Sequence, residues 1–468
     1  MIGTAIFSVP SSISASVGSA GAALCLWAVG FILSLSGLMI WLELGCLLPR
    51  SGGEKVYLET AYRRPPLLAT TIYATHVIFL GFTGNGSIAV AENLLLAVSG
   101  TANDWTKRCI AIAVLVLISF LHIKAKTFTV KLMNVLASVK ILILVIIILA
   151  GLWVLGTDQS NPRVPHPGAS FNQPFAGSSS SVYDYSNALF KIIATYQGWT
   201  NAGYVLDEVK NPRRTLKMAG VLGVGSVGIL YILVNMAYYA VCTPEELSQT
   251  GVTVVALFIG KVFGETMQWC TALLAATSTF ATLLTGSFTM SRVIQSLAKE
   301  GVLPFTSFFA GSAPSGSPNG AFLALFATSA AMIILMPFGE AYNFTVDVGQ
   351  YAMAIIYFAV VVGLFIIRKR TVYPHRTFRV WTSVACLFMA MQTFLVLSPF
   401  LHNSASTSSS IPFWLMPIVA ILALSGGIAY WYGWFILLPR IKGFVWEKKS
   451  STLADGTEVV VWTKDHQD

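Results

Sequence analysis

The chain has 468 residues, of which 55% are hydrophobic and only 10% are charged, whereas soluble domains carry roughly 25% charged residues. So few charges could not cover a water-facing surface, which excludes a cytosolic enzyme, a disulfide-rich secreted scaffold and a disordered chain. The net charge of +9 does not indicate nucleic acid, because the basic residues lie in short segments between apolar runs, as membrane topology requires. We therefore predict an all-α polytopic membrane protein.

Apolar segments bounded by charged or turn-rich residues predict about twelve transmembrane helices, since one crossing takes roughly 20 apolar residues. In chain order they are 1–15, 20–47, 67–97, 107–123, 131–156, 184–206, 217–242, 266–290, 319–338, 344–367, 378–401 and 412–437. The first segment is about a third too short for a span, so we expect this helix to begin upstream of Met1. Residues 438–468 form a short tail after a single transmembrane domain, 1–437.

Lysine and arginine fall mainly on one side of the predicted membrane. Of the 29 basic residues, 23 lie in segments after even-numbered spans, four in segments after odd-numbered spans, and Lys140 and Lys191 within spans. The positive-inside rule then places both termini in the cytoplasm. We expect the plasma membrane as the location.

The first and sixth spans are interrupted where a simple anchor helix would be continuous. Residues 3–10 and 196–203 are rich in small, polar, Gly and Pro residues, which unwind a helix and free N–H and C=O groups that must face protein or a water-filled cavity. Broken helices at corresponding positions of two halves indicate the substrate site of a transporter. The simpler alternative is that Gly and Pro are common in membrane helices.

Ionisable residues within spans are functional candidates. Lys140 lies roughly 12 Å from the cytoplasmic end of the fifth span and roughly 24 Å from its outer end, so its ammonium stays within the hydrocarbon layer. The alternative is a partly buried lysine paired to a loop. Glu92, in the outer third of the third span, is a candidate for proton coupling. The six cysteines are scattered singly, so we predict no metal site and no cofactor.

Several motifs carry a family resemblance over nearly the whole chain. They are Gly3–Pro10, Glu43–Gly45 with Pro49–Glu54, Tyr196–Trp199 with Glu208–Pro212, Tyr231–Tyr239, and Ser291-Arg292 with Glu300–Pro304. In this order they resemble the amino acid–polyamine–organocation superfamily, specifically its L-type amino acid transporter branch. The tail, with Leu438–Gly443 and Asp455–Thr457, is similar to the fungal methionine-permease subgroup.

The resemblance implies a leucine-transporter-type fold with two inverted five-helix repeats, about 1–156 and 184–367, and two extra helices, 378–401 and 412–437. It also implies a permease that moves neutral L-amino acids, with methionine as the candidate, without sodium and coupled to protons. An L-type exchanger and a non-transporting amino acid sensor remain as alternatives. An enzyme is disfavoured, because the sequence carries no nucleophile–base pair, metalloprotease motif or phosphate-binding loop.

The resemblance also implies the site. Backbone N–H groups of Gly3, Thr4 and Ala5 would receive the substrate carboxylate, and carbonyls of Ala194, Thr195 and Gln197 would accept from its ammonium. Tyr196, Trp199 and Asn201 would line the side-chain pocket, with Gly198 supplying backbone freedom in the sixth span. Sodium-independent relatives carry a lysine where others hold sodium, which assigns that role to Lys140 with Ser278 and Thr282.

The expected partners are an amino acid substrate, the lipid bilayer and protons, with no nucleic acid. Animal L-type members link a partner glycoprotein through a cysteine between the third and fourth spans. The corresponding loop, 100–108, contains none. We therefore expect no disulfide-linked heavy chain.

Overall fold

A computed structural model describes residues 1–81, 83–98, 103–156, 163–164, 166–250, 254–264, 268–313, 316–337, 340–370, 378–401, 412, 414–453 and 458–465. The described chain is almost entirely helical. The helices are α1 (Ala5–Val17), α2 (Ala20–Leu47), α3 (Glu54–Ala61), α4 (Leu68–Thr75), α5 (Gly84–Ala97), α6 (Asp104–Lys124), α7 (Lys126–Gly156), α8 (Val182–Thr195), α9 (Pro212–Val241), α10 (Pro244–Gln249), α11 (Val254–Phe263), α12 (Gln268–Lys299), α13 (Thr306–Ala310), α14 (Asn319–Leu335), α15 (Glu340–Arg370), α16 (Thr382–Leu397), α17 (Leu415–Trp431) and α18 (Leu438–Lys442). This architecture confirms the predicted all-α polytopic membrane protein.

Eight helices in the described part of the chain are long and apolar enough to cross a membrane. Each of them starts in one of the helices α2, α6, α7, α9, α12, α15, α16 and α17. In that order they correspond to the second, fourth, fifth, seventh, eighth, tenth, eleventh and twelfth predicted spans. The other four predicted spans are short or divided. The chain is therefore a multi-pass membrane protein, in which the first, third and sixth predicted spans are short or divided and the ninth is a continuous but short helix, α14.

The third predicted span, 67–97, is not one helix. It consists of α4, a π-helical turn over His76–Leu80, and α5. A Cβ on Gly81 would lie 2.4 Å from the Val77 carbonyl oxygen, so the chain can turn there only with glycine. The backbone N–H of Thr83 donates to Ser329 Oγ at 3.0 Å, so α14 satisfies a donor that the interruption removes from the helix.

Helix α7 separates an inward face from a lipid-facing one. Its buried side includes Lys140, Leu144, Ile147 and Val154, which recur at helical spacing. The opposite side exposes large apolar side chains, including Leu142, Ile146, Leu149, Leu152 and Trp153. Lys140 therefore points towards the helix bundle and not towards lipid.

The tail contains structure that the sequence analysis did not predict. Strands β1 (Val445–Thr452) and β2 (Glu458–Asp465) pair in antiparallel register. The indole N–H of Trp446 donates to the Trp434 carbonyl at 2.9 Å, and that of Trp462 donates to the Glu300 carbonyl at 3.3 Å. The hairpin is thus anchored to the end of α12 and to the segment after α17.

A buried ion pair ties α2 to the end of α15. Arg368 Nε donates to Glu43 Oε1 at 2.9 Å, and the Val380 N–H donates to Glu43 Oε2 at 2.7 Å. The Glu43 side chain is 0% exposed and that of Arg368 is 6% exposed. A charge buried this completely is stable only while it is paired.

We expect Glu43→Gln to destabilise the fold strongly, because it removes the carboxylate that pairs with the buried Arg368 guanidinium. Breaking one partner of such a pair costs about 3–5 kcal/mol. Thermal unfolding of detergent-solubilised protein measures the effect. Glu447→Gln is the matched control, since Glu447 pairs with Lys449 on an exposed surface and should change the midpoint little. Equal midpoints in the two variants would contradict the role given to the buried pair.

Candidate functional site

Residues 1–4, which precede α1, lie against the interruption of the sixth span, residues 196–200. A Cβ added to Gly198 would lie 3.1 Å from the backbone nitrogen of Met1. From α9, the hydroxyl of Tyr231 donates to the Met1 carbonyl at 3.1 Å. The structure therefore brings two irregular segments into contact through Met1 and Gly198, which are 197 residues apart in sequence.

The sixth span consists of two helical pieces. The first is α8, which ends at Thr195, and the second is a 3₁₀ helix over Asn201–Glu208. Between them Gly198 has φ +110°, a conformation that side chains other than glycine rarely adopt. The Asn201 N–H donates to the Gly198 carbonyl at 3.3 Å. Glycine at 198 is thus what allows the chain to turn between the two helical pieces.

Helix α1 begins at Ala5, with Thr4 as the preceding cap residue. The Thr4 carbonyl accepts from the Phe7 N–H at 2.9 Å, but the Thr4 side chain makes no capping bond. The first N–H groups of a helix lack partners within it and mark the positive end of its dipole. The predicted carboxylate-binding residues Gly3, Thr4 and Ala5 therefore stand at an end that favours an anion.

Lys140 connects three elements. Its ammonium donates to the Ile2 carbonyl at 2.7 Å and to Thr282 Oγ1 at 2.6 Å. Thr282, on α12, also lies 3.2 Å from the Ile2 carbonyl and 3.0 Å from the Ser278 carbonyl. The hydroxyl of Ser278 is fully buried and has no partner among the described residues. Of the predicted group, Lys140 and Thr282 therefore meet at the residue before Gly3, whereas the Ser278 hydroxyl bonds neither of them.

The two aromatic residues of the interruption point into different parts of the core. Tyr196 is 0% exposed and packs on Tyr231 with ring centres 5.1 Å apart and on Trp27 at 5.8 Å. Trp199 packs edge-on against Trp41 at 4.9 Å. Tyr196 therefore packs between α9 and the first half of α2, whereas Trp199 packs against the second half of α2.

A small, partly open cavity lies beside this interruption. Gln197 Nε2 donates to Gln350 Oε1 at 2.6 Å across it. Two buried polar atoms in its wall, Ser34 Oγ and Gln392 Oε1, have no partner among the described residues. The lining comprises Ser34, Phe190, Ile193, Ala194, Gln197, Trp199, Gln350, Ala354, Tyr357, Phe388, Met391, Gln392 and Leu395.

The predicted site residues thus divide into groups. Ala194, Gln197 and Trp199 line the cavity, whereas Tyr196 and Asn201 do not. The Thr195 hydroxyl donates to the Lys191 carbonyl at 2.8 Å. Glu92, the candidate for proton coupling, is half-exposed and forms a 3.7 Å ion pair with Lys107.

Sequence reasoning missed Gln350, Gln392 and the role of Tyr231. The two glutamines lie within otherwise apolar predicted spans, and a polar residue there is a signal for a buried contact. The Tyr231 motif contributed only to the family resemblance. Its bond to Met1 had no signal in the sequence, because it joins residues that only the fold brings together.

Comparison with known proteins gives consistent results. The family model for amino acid permeases matches residues 1–424. The chain is similar to the high-affinity methionine permease of Saccharomyces cerevisiae, with 35% identity over 94% of this chain and 77% of that protein. It is 28% identical to the low-affinity methionine permease of the same yeast, over 99% and 85% of the two chains. It is also 28% identical to the b(0,+)-type amino acid transporter 1 of Mus musculus, over 94% and 87%.

Proposed function

Because the chain belongs to the amino acid permease family, we propose that it is a secondary active transporter of neutral L-amino acids, with methionine as its principal substrate. The observation that carries the proposal is the contact of Met1, in the segment before α1, with the interruption at Gly198. Two irregular segments side by side offer backbone groups to one ligand. The two halves, 1–156 and 184–367, would move as inverted repeats during alternating access.

A zwitterionic amino acid needs partners for both of its charges, since each is costly to desolvate alone. The N-terminal end of α1, at Gly3, Thr4 and Ala5, would bind the carboxylate. The ammonium would donate to backbone carbonyls between Ala194 and Gln197. These groups favour a substrate with one carboxylate and one ammonium, and they leave the side chain to select among neutral amino acids.

The substrate side chain would extend towards Trp199. Trp199 lines the cavity beside the interruption, whereas Tyr196 is fully buried against α2 and α9. The surrounding wall is largely apolar, with Phe190, Ile193 and Met391, and it suits an unbranched apolar side chain such as that of methionine. Asn201 would contribute through its backbone position in the turn.

Transport would not need sodium. In related folds a sodium ion sits between the first, fifth and eighth spans, and here the Lys140 ammonium bonds the Ile2 carbonyl and Thr282. The positive charge of Lys140 would hold these oxygens in place, as the sodium ion does in related folds. The energy for uptake would then come from the proton gradient. We place the protein in the plasma membrane with both termini in the cytoplasm, and we expect no disulfide-linked heavy chain.

Uptake of radiolabelled methionine by cells producing the protein tests this function. We expect saturable uptake that large neutral amino acids inhibit, that charged amino acids do not, and that persists when choline replaces sodium. Preloading the cells distinguishes a symporter from an exchanger, because only an exchanger is strongly accelerated by internal substrate. Binding without net movement would indicate a sensor. Failure to bind or move any amino acid would reject the proposal.

A further inference from the structure

A carboxyl group is buried at the start of α3, in the short segment between the second and third predicted spans. The Glu54 side chain is 0% exposed. Trp41 Nε1 donates to its Oε1 at 3.0 Å, and the Tyr73 hydroxyl donates to its Oε2 at 3.3 Å. Both donors are neutral, so they hydrogen-bond the carboxyl but supply no positive charge to balance it when it is ionised.

No cation pairs with Glu54 among the residues that the structure describes. The ammonium of the adjacent Lys55 forms ion pairs with Glu59 Oε2 at 3.0 Å and with Glu300 Oε1 at 2.9 Å. At the other end of α3, Arg370 donates to the Ala61 carbonyl at 3.0 Å. The titratable side chains that face Glu54 are all tyrosines, namely Tyr57 on α3, Tyr73 on α4, Tyr204 in the 3₁₀ helix and Tyr357 on α15.

Glu54 therefore differs from Glu43, which is equally buried but has an arginine partner. An ionised carboxylate without a counter-charge is strongly disfavoured in an apolar interior, so burial favours the protonated form. Burial raises the pKa of Glu54 from 4.5 to about 7, although hydrogen bonds from the surrounding donors oppose the shift. The group can gain or lose a proton near neutral pH.

Glu54 is also connected to the interruption of the sixth span. Trp41, which bonds the carboxyl, contacts Trp199 one residue after Gly198. The residue before Glu54, Gly53, donates its N–H to the Gly203 carbonyl at 3.1 Å. The start of α3 is thus bonded to the second piece of the sixth span, and any separation of the two would open the surroundings of Glu54.

We propose that Glu54 is a proton-binding site of the transport cycle, which holds a proton while α3 is packed against the second piece of the sixth span and releases it to water when they separate. The proposal rests on the proposed transport function and names the group that would couple it to protons. Protonation favours the closed packing, because the neutral carboxyl keeps its bonds to Trp41 and Tyr73. Ionisation favours opening, because the carboxylate is then hydrated.

Glu54→Gln tests the proposal, since glutamine keeps the shape and the hydrogen-bond acceptor but cannot titrate. We expect wild-type methionine uptake to fall about tenfold from roughly pH 6 to roughly pH 8, as a single group with a pKa near 7 loses its proton. The variant should lose this dependence. Glu300→Gln is the matched control, because the pKa of Glu300 is held low, chiefly by Lys55, against the effect of burial, and its profile should follow the wild type.

Counterflow in proteoliposomes separates this inference from the transport function. Counterflow needs substrate exchange but no proton gradient, so Glu54→Gln should retain it while losing methionine-driven proton entry, read with an internal pH dye. Absence of counterflow in the wild type would reject the transport function itself. Counterflow together with unchanged proton entry in Glu54→Gln would reject the role of Glu54 alone.

A stability measurement covers the case in which the variant transports poorly. A carboxyl whose pKa rises on folding binds a proton that the unfolded chain releases. The contribution of Glu54 to the free energy of unfolding is therefore greatest at low pH and falls as pH rises from about 4.5 to about 7. The unfolding midpoint of the wild type should decrease over this window. The midpoint of Glu54→Gln should decrease less. Parallel curves would overturn the assignment whatever the uptake shows.

Discussion

Replacing Lys140 with glutamine is expected to reduce methionine uptake at least tenfold. The ammonium bonds the Ile2 carbonyl and Thr282 Oγ1, and hydrogen bonds from a charged group contribute about 1.5–3 kcal/mol each. Because each 1.4 kcal/mol is about a factor of ten in an equilibrium, loss of one such bond suffices. Without the charge, residues 1–4 lose their attachment to α7, and the amino end of α1 loses its position for the carboxylate.

Lys131→Gln is the control for Lys140, because it removes the same charge from the same helix at an exposed position. It should leave uptake near the wild-type rate. Lys140→Ala should fail as Lys140→Gln does, and adding sodium should rescue neither. Strict sodium dependence of the wild type, or full activity in both Lys140 variants, would remove this lysine from the mechanism.

Gly198→Ala is expected to abolish uptake while the protein still inserts into the membrane. At φ +110° a side chain costs about 1–3 kcal/mol in backbone strain. The new methyl group would also lie 3.1 Å from the Met1 nitrogen, so it would push apart the two segments that the substrate is proposed to join. Both effects act at the site, and the helices on either side keep their packing.

Gly3→Ala tests whether glycine is required at position 3 as it is at position 198. Gly3 does not have a positive φ, and a Cβ there would meet Thr282 Oγ1 at 3.7 Å, an ordinary contact. Both interrupted segments contain a glycine, Gly3 and Gly198, whereas the structure gives a steric reason for glycine only at Gly198. We expect Gly3→Ala to retain most uptake. Surface amount measured beside uptake would show insertion, and full activity of Gly198→Ala would contradict the proposed site.

Composition and hydropathy alone determined the class of protein and most of its long helices. Apolar runs of sufficient length leave a chain no other stable environment than lipid, and a long helix satisfies its own backbone there. The same reasoning located the interruption at Gly198, because glycine and polar residues at mid-membrane depth do not continue a helix. It also identified Lys140 as unable to reach water, since that conclusion needs only distances along a helix.

Only the tertiary structure decided which groups meet. Tyr196 and Trp199 are three residues apart in a segment without helical periodicity, so no pattern could assign one to the packing between α2 and α9 and the other to the cavity. Glu54 occupies a short polar helix that, by sequence, belongs on the surface. It is buried because α2, α4, α15 and the second piece of the sixth span surround it. Burial and pairing depend on contacts between distant segments, and those contacts set the charge state of a carboxyl.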